Sequence, residues 1–210
     1  MKIEIVDYVK IIKGATVLDH INLMLEEKEL YGLRGANGSG KSMLMRAICG
    51  LIKPTSGHIA IDGKVVGKDI SFPPSIGILI ESPSFIDEYT GFDNLKIIAR
   101  IKGLIGDDDI RNTLTEIGLD PKDRRPYKKY SLGMRQRLGI ACAIMEHPLI
   151  LLLDEPLNGL DPEGSDLALS AIRRRHDEGA FVMMACHDAA GLNTFASCIL
   201  QMERGRIVGQ

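Results

Sequence analysis

The chain has 210 residues, 45% of them hydrophobic, enough to bury a core within one domain. Its formal net charge of -2 at pH 7 excludes an overall field that would gather nucleic acid or an anionic membrane surface, so any anion must be held locally. No run approaches the roughly 20 apolar residues that cross a bilayer, and the opening MKIEIVDYVK lacks the unbroken apolar stretch of a signal peptide, so the expectation is a soluble chain that reaches a membrane only through a partner.

Residues 2–8 and 15–25 alternate with strand periodicity about a turn at Lys13 and Gly14, which predicts an antiparallel opening. Residues 29–34 read as a third strand, Gly35 to Gly40 as a glycine-rich loop, and 41–49 as a helix closed by Gly50. Strands follow at 57–61 and 76–80, the second an apolar run suited to burial on both faces. From residue 91 to about 130 the period turns helical, with Leu95, Ile98, Ala99 and Lys102 at helix spacing and a further helix over 109–117. Met134, Leu138, Ala141, Cys142 and Met145 make one apolar stripe on a helix that stops before Pro148. Strand and helix then alternate again, with strands at 149–153, 181–185, 198–202 and 206–208 and a helix at 162–176. This is an α/β pattern in a single domain, with no internal repeat and no low-complexity linker. Cys49, Cys142, Cys186 and Cys198 are far apart and form no CxxC pair, which suits free thiols better than disulfides or a zinc site.

Gly35-Ala36-Asn37-Gly38-Ser39-Gly40-Lys41-Ser42 fits G-x-x-x-x-G-K-[ST] and sits between a predicted strand and a predicted helix, where that motif belongs. Gripping a phosphate requires several backbone N–H groups aimed at one anion, and glycines permit both the dihedrals and the close approach. Lys41 would reach the terminal phosphates, and the Ser42 hydroxyl would bind Mg2+ bridging the outer two. Met43, which follows, joins the nucleotide-binding candidates. The bland alternative, a glycine-rich turn before a helix, leaves the lysine and serine unexplained. Residues 149–153 then run an apolar strand straight into Asp154 and Glu155. Ligands of open parallel sheets bind beyond the carboxyl ends of the strands, which places this pair opposite the phosphate loop. Asp154 would hold Mg2+ through its water shell, and Glu155 would polarise the water that attacks the terminal phosphate.

Between these motifs stands Tyr130-Ser131-Leu132-Gly133-Met134-Arg135-Gln136-Arg137-Leu138, and after them come Gly159-Leu160-Asp161-Pro162 and His187. In this order the motifs resemble the ABC ATPases, and the resemblance covers essentially the whole chain. It implies a P-loop NTPase fold with a parallel-sheet core, an N-terminal antiparallel β subdomain, and a helical subdomain inserted at about residues 88–145. It also implies that Ser131, Leu132, Gly133 and Met134 form the signature stretch, which meets the terminal phosphate of a nucleotide held by the opposing subunit. A helix N-terminus suits that task. Asp161 matches the loop that crosses the dimer interface, and His187 the histidine that contacts the terminal phosphate beside the catalytic Glu155.

Three departures stand out. Leu132 and Met134 replace a glycine and a glutamine of the common signature. Glu81, in Ile80-Glu81-Ser82-Pro83, replaces the glutamine that meets the metal and the membrane partner, although a carboxylate also binds Mg2+. Ile12 stands where an aromatic residue usually stacks on adenine, with Tyr8 the nearest alternative. Ile-Glu-Ser-Pro, Tyr-Ser-Leu-Gly-Met and Arg-Gln-Arg-Leu together resemble the ATPases of bacterial bacitracin and lantibiotic export or self-protection systems.

The resemblance implies an ATP-hydrolysing subunit using ATP and Mg2+, paired as a homodimer or with another ABC ATPase. It would sit in the cytoplasm against the inner face of the membrane, beneath an integral membrane permease that it touches near Glu81 and the helical insertion. A relative acting on ribosomes or DNA is disfavoured by the single phosphate loop and short insertion, and a non-hydrolysing regulator by Glu155 and His187. The basic stretches at 122–129 and 173–175 read as solvated helix faces, so no nucleic acid is expected.

Overall fold

The computed structural model describes residues 1–81, 84–186 and 189–209, with backbone alone for 189–191. Among the described residues the strands form two sheets. The first, in the order β2 (Ala15–Glu26), β1 (Lys2–Ile12), β4 (Ser56–Ile61), β5 (Lys64–Val65), is antiparallel throughout. β1 continues beyond the residue 8 expected from alternation because it bulges. Asp7 adopts a left-handed φ of 45°, its N–H donates to Asn22 Oδ1 at 2.9 Å, and the register with β2 shifts between Ile5 and Tyr8. An extra residue in one strand inverts the inside–outside alternation, so Tyr8 and Val9 are both buried. β5 is too short to carry a period.

The second sheet runs β10 (Arg206–Gly209), β9 (Cys198–Glu203), β3 (Leu30–Arg34), β8 (Phe181–Cys186), β7 (Ile150–Asp154), β6 (Ile76–Leu79). All neighbours are parallel except β10, which returns antiparallel on β9. Both faces are covered. Leu151 and Leu153 of β7, with Val182 and Met184 of β8, pack among the helices α2 (Gly91–Lys102), α3 (Asp107–Glu116), α4 (Leu132–Ile144), α5 (Pro162–Asp177) and α6 (Ala189–Phe195). Ile150, Leu152, Phe181 and Met183 face α1 (Lys41–Ile48) and the antiparallel sheet. Unbroken apolar runs are what a strand covered on both faces requires.

α2 starts at Thr90, whose Oγ1 accepts the Asp93 N–H at 3.1 Å, and presents Leu95 and Ala99 to the core. α4 is buried more widely than one stripe: Gln136, Gly139, Ile140, Ala143 and Ile144 are covered as well as Leu138 and Ala141. It is wedged against β6, where a side chain on Gly77 would meet the Ala143 carbonyl at 1.9 Å. The basic run at 173–175 is solvated at Arg173 and Arg174 but not at Arg175. Arg175 is 3% exposed, pairs with Glu116 at 2.7 Å and Glu178 at 3.2 Å, and donates Nε to the Ile144 carbonyl at 3.3 Å. A buried guanidinium needs such partners, and this one ties α5 to α3 and α4. The four cysteines are free thiols; burial pushes Cys49 up to about 12 and Cys142 up to about 11, so both stay protonated at neutral pH. Among the described residues no helix is long and apolar enough to cross a membrane.

Candidate functional site

β3 ends at Arg34 and β7 at Asp154, on the same edge of the sheet with β8 between them. Their carboxyl ends open on a cleft of about 580 Å³ whose floor is the loop at 37–43 and whose far wall is Asp154 and Glu155. The loop is built for an anion. Gly40 has φ 110°, and a side chain on it would sit 3.0 Å from the Val17 carbonyl, so only glycine turns the chain into α1 here. α1 carries no side-chain cap and no acid in its first turn, which leaves its first N–H groups open toward the cleft. Lys41 is 6% exposed and folds back so that Nζ donates to the Gly35 carbonyl at 2.7 Å and the Ala36 carbonyl at 3.3 Å. The Ser39 hydroxyl is buried with no hydrogen-bond partner among the described residues, and Ser39 lines a hollow behind the loop rather than this cleft.

The Ser42 hydroxyl donates to the Asp154 carboxylate across 112 residues of sequence. Burial raises the Asp154 pKa above the ordinary carboxylate value; the Glu155 charge raises it further, while the Ser42 hydrogen bond, Lys41 and Arg46 oppose. A serine hydroxyl beside a desolvated carboxylate is an all-oxygen donor set that fits a hard divalent cation. The sign of the pH effect follows. A carboxylate raised on folding makes the cation-free protein gain stability as pH falls through the folded pKa, whereas a cation requires the ionised form and loses affinity over the same window. Asp154→Asn is therefore expected to raise the melting temperature of the cation-free protein at neutral pH and to flatten its pH dependence just above the ordinary carboxylate range. Thermal scans between about pH 4 and 8, without and with Mg2+, test this; a lower melting temperature without Mg2+ would contradict it. Met43 completes this wall, partly buried.

Glu155 follows in the left-handed region, φ 50°, with its N–H on the Ala185 carbonyl at 2.9 Å. A non-glycine residue held there is strained, and the turn swings its carboxylate out of the strand direction into the cleft. What holds it comes from α4: buried Gln136 donates Nε2 to the Glu155 carbonyl at 3.1 Å and to the Pro156 carbonyl at 3.0 Å. In the sequence Gln136 stands only within the Arg-Gln-Arg-Leu motif, flanked by two arginines, with no role assigned to it.

The remaining candidates gather elsewhere. Ser131 caps α4, accepting the Met134 N–H at 3.2 Å, which leaves its own proton to donate. Leu132 is 69% exposed and lies over Gly159, Gly133 abuts the Gly159 carbonyl, and Met134 Sδ accepts from Arg125 at 3.8 Å. Asp161 caps α5, accepting the Gly164 N–H at 3.0 Å. The signature stretch and the Asp161 loop thus form one patch, and neither lines the cleft of the phosphate loop. Glu81 does not line that cleft either. It is exposed, has φ 66°, and its carboxylate is taken by Arg46 of α1. Arg46, which acts on both Glu81 and Asp154, was not singled out from the sequence. Tyr8 is excluded as a base-stacking residue: it is 1% exposed, its hydroxyl donates to the Ile52 carbonyl at 3.1 Å, and burial pushes its pKa up to about 12. Ile12 does not line the cleft, whose near wall is Thr16 and Val17; it pairs with Ala15 beside that wall. His187 lies outside the described residues.

The ABC transporter family profile matches residues 18–158. The chain is 42% identical over 205 residues to the uncharacterized ABC transporter ATP-binding protein YybJ of Bacillus subtilis (strain 168), covering 98% of this chain and 94% of the relative. It is 36% identical over 195 residues to the bacitracin transport ATP-binding protein BcrA of Enterococcus faecalis, covering 92% of this chain and 63% of that relative. A solved structure described as the ATP binding subunit of an ABC transporter superposes with a TM-score of 0.88 at 26% identity, covering 100% of this chain and 89% of that one.

Proposed function

We propose, because this chain belongs to the ABC transporter family of ATP-binding proteins, that it is the motor of a transporter whose separate membrane permease exports a peptide antibiotic or protects against one. As a member of that family the chain binds and hydrolyses ATP. The observation that carries the motor reading is the separation of its motifs. The phosphate loop, Asp154 and Glu155 share one cleft, while Ser131 to Met134 and Asp161 form a second patch with a helix N-terminus and a serine proton to offer. Two chains face to face, either two copies or this chain and a homologue, complete two sites, each with one subunit's loop and the other's Ser131.

In each site Lys41 and the first-turn amides of α1 grip the phosphates. Ser42 and Asp154 would hold Mg2+, with Glu81 as a further oxygen donor were Arg46 to release it, and the bound cation would supply charge neutralisation at the outer phosphates. Glu155 orients and deprotonates the attacking water, and His187 steadies the terminal phosphate. Closure on ATP moves the permease, and hydrolysis reopens the pair. The permease contact falls beside Glu81 and the helical insertion, where Ile86, Tyr89, Ile97 and Ile101 are exposed. The chain then sits at the inner face of the membrane. The peptide-antibiotic cargo is supported by the Ile-Glu-Ser-Pro and Tyr-Ser-Leu-Gly-Met motifs and by the bacitracin relative.

Tagged chain drawn from detergent-solubilised native membranes is expected to bring an integral membrane protein with it, and deletion of the gene to raise sensitivity to bacitracin or a lantibiotic. Recovery without any membrane protein would end the motor reading. Unchanged sensitivity to both peptide classes would remove the cargo assignment alone.

A further inference from the structure

A nucleotide at the phosphate loop has its phosphates fixed by Lys41, Ser42 and Asp154, so its nucleoside lies along the wall formed by Thr16 and Val17 of β2 together with the turn joining β9 to β10, Arg204 with Gly205, which packs against Val17. A nucleobase presents two flat π faces and binds best against another planar group. None of the described residues that line this cleft is aromatic. The extended planar cation at its mouth is the guanidinium of Arg204. Arg204 also lines a second hollow of about 490 Å³, behind the loop beside Arg34 and Gln201, so it stands on the ridge between the two.

The turn that carries it is fixed to the phosphate loop. The Gly205 N–H donates to the Ser39 carbonyl at 2.8 Å, and the Gly205 carbonyl accepts the Asp19 N–H at 2.8 Å. Both turn residues have positive φ, 47° at Arg204 and 80° at Gly205. Such a turn favours asparagine or glycine at its first position, so an arginine there is strained without benefit to the turn itself. The neighbouring Arg206 is engaged by Asp19 at 2.7 Å, whereas among the described residues no ion pair or hydrogen bond holds the Arg204 guanidinium.

We propose that Arg204 is the nucleobase platform of this site, its guanidinium stacking on the base in place of an aromatic ring. The assignment rests on nucleotide binding at the phosphate loop. It predicts a contact that depends on planarity as well as charge, and on the nucleoside rather than the phosphates.

The test compares wild type, Arg204→Asn and Arg204→Lys by calorimetric titration with MgATP and, separately, with magnesium inorganic triphosphate. Asparagine suits the turn, so that variant keeps the fold; lysine keeps the charge and loses the plane. The expected result is a roughly tenfold weaker affinity for MgATP in both variants, with triphosphate affinity unchanged. MgATP affinity unchanged in Arg204→Asn, wild-type affinity in Arg204→Lys, or an equal loss for MgATP and triphosphate would each overturn the platform. Lys41→Ala separates the two levels of inference. If wild type binds neither probe, or if Lys41→Ala weakens neither, nucleotide binding at this loop falls and the platform falls with it.

Discussion

Glu155→Gln is expected to bind MgATP as tightly as wild type and to hydrolyse it about 10² to 10⁴ times more slowly, the usual contribution of a positioned general base. The left-handed turn at 155, the N–H bond to Ala185 and both bonds from Gln136 involve backbone atoms of Glu155 and Pro156, so a carboxamide of the same shape keeps those bonds. The substitution removes the ability to take a proton and the negative charge beside Asp154. Because hydrolysis reopens the pair in the proposed cycle, the variant accumulates as an ATP-bound dimer. Phosphate release measured alongside light scattering tests both halves. A Glu155→Gln variant that turned over at the wild-type rate would remove Glu155 from the chemistry, and one that bound ATP and stalled as a monomer would remove dimer closure from the cycle.

Gln136→Leu should have the next largest effect. Leucine fills nearly the same volume in α4, so the loss reports the two hydrogen bonds. The Glu155 carbonyl keeps the Asn158 N–H at 3.2 Å, but the Pro156 carbonyl loses the donor that Gln136 supplied, which costs about 1 to 3 kcal/mol. In a chain of this size that lowers the melting temperature by roughly 2 to 12 °C. A merely structural amide would stop there. If Gln136 positions the strained Glu155 turn from the signature helix, kcat falls about tenfold or more while KM for MgATP holds, since a misplaced base affects the chemical step and not phosphate binding. A melting temperature that drops with kcat unchanged would reduce Gln136 to a packing role.

Arg175 shows how sequence pattern and structure part ways. Three consecutive arginines read as a solvated face because charge runs usually are, yet the third is buried against Glu116 of α3 as well as Glu178 at the end of its own helix. Tyr8 is similar. Proximity in sequence made it the nearest aromatic to the base site, but the bulge at Asp7 turns it into the core. In each case the deciding partner lies on another element.

The sequence by itself determined the α/β class, the strand–loop–helix at 30–48 and the step from apolar strand to acids at 150–155, because each depends on residues adjacent along one element: alternation, helical period, glycine where the backbone must turn. Only the tertiary structure decided that Ser42 meets Asp154, that Arg46 takes Glu81, that Gln136 braces Glu155 and that Arg204 stands at the mouth of the cleft. Those contacts span tens to more than a hundred residues and are set by strand order, which places β7 two strands from β3 and returns β9 and β10 beside the loop. Periodicity along a chain reports which face of an element is buried, not which other element buries it.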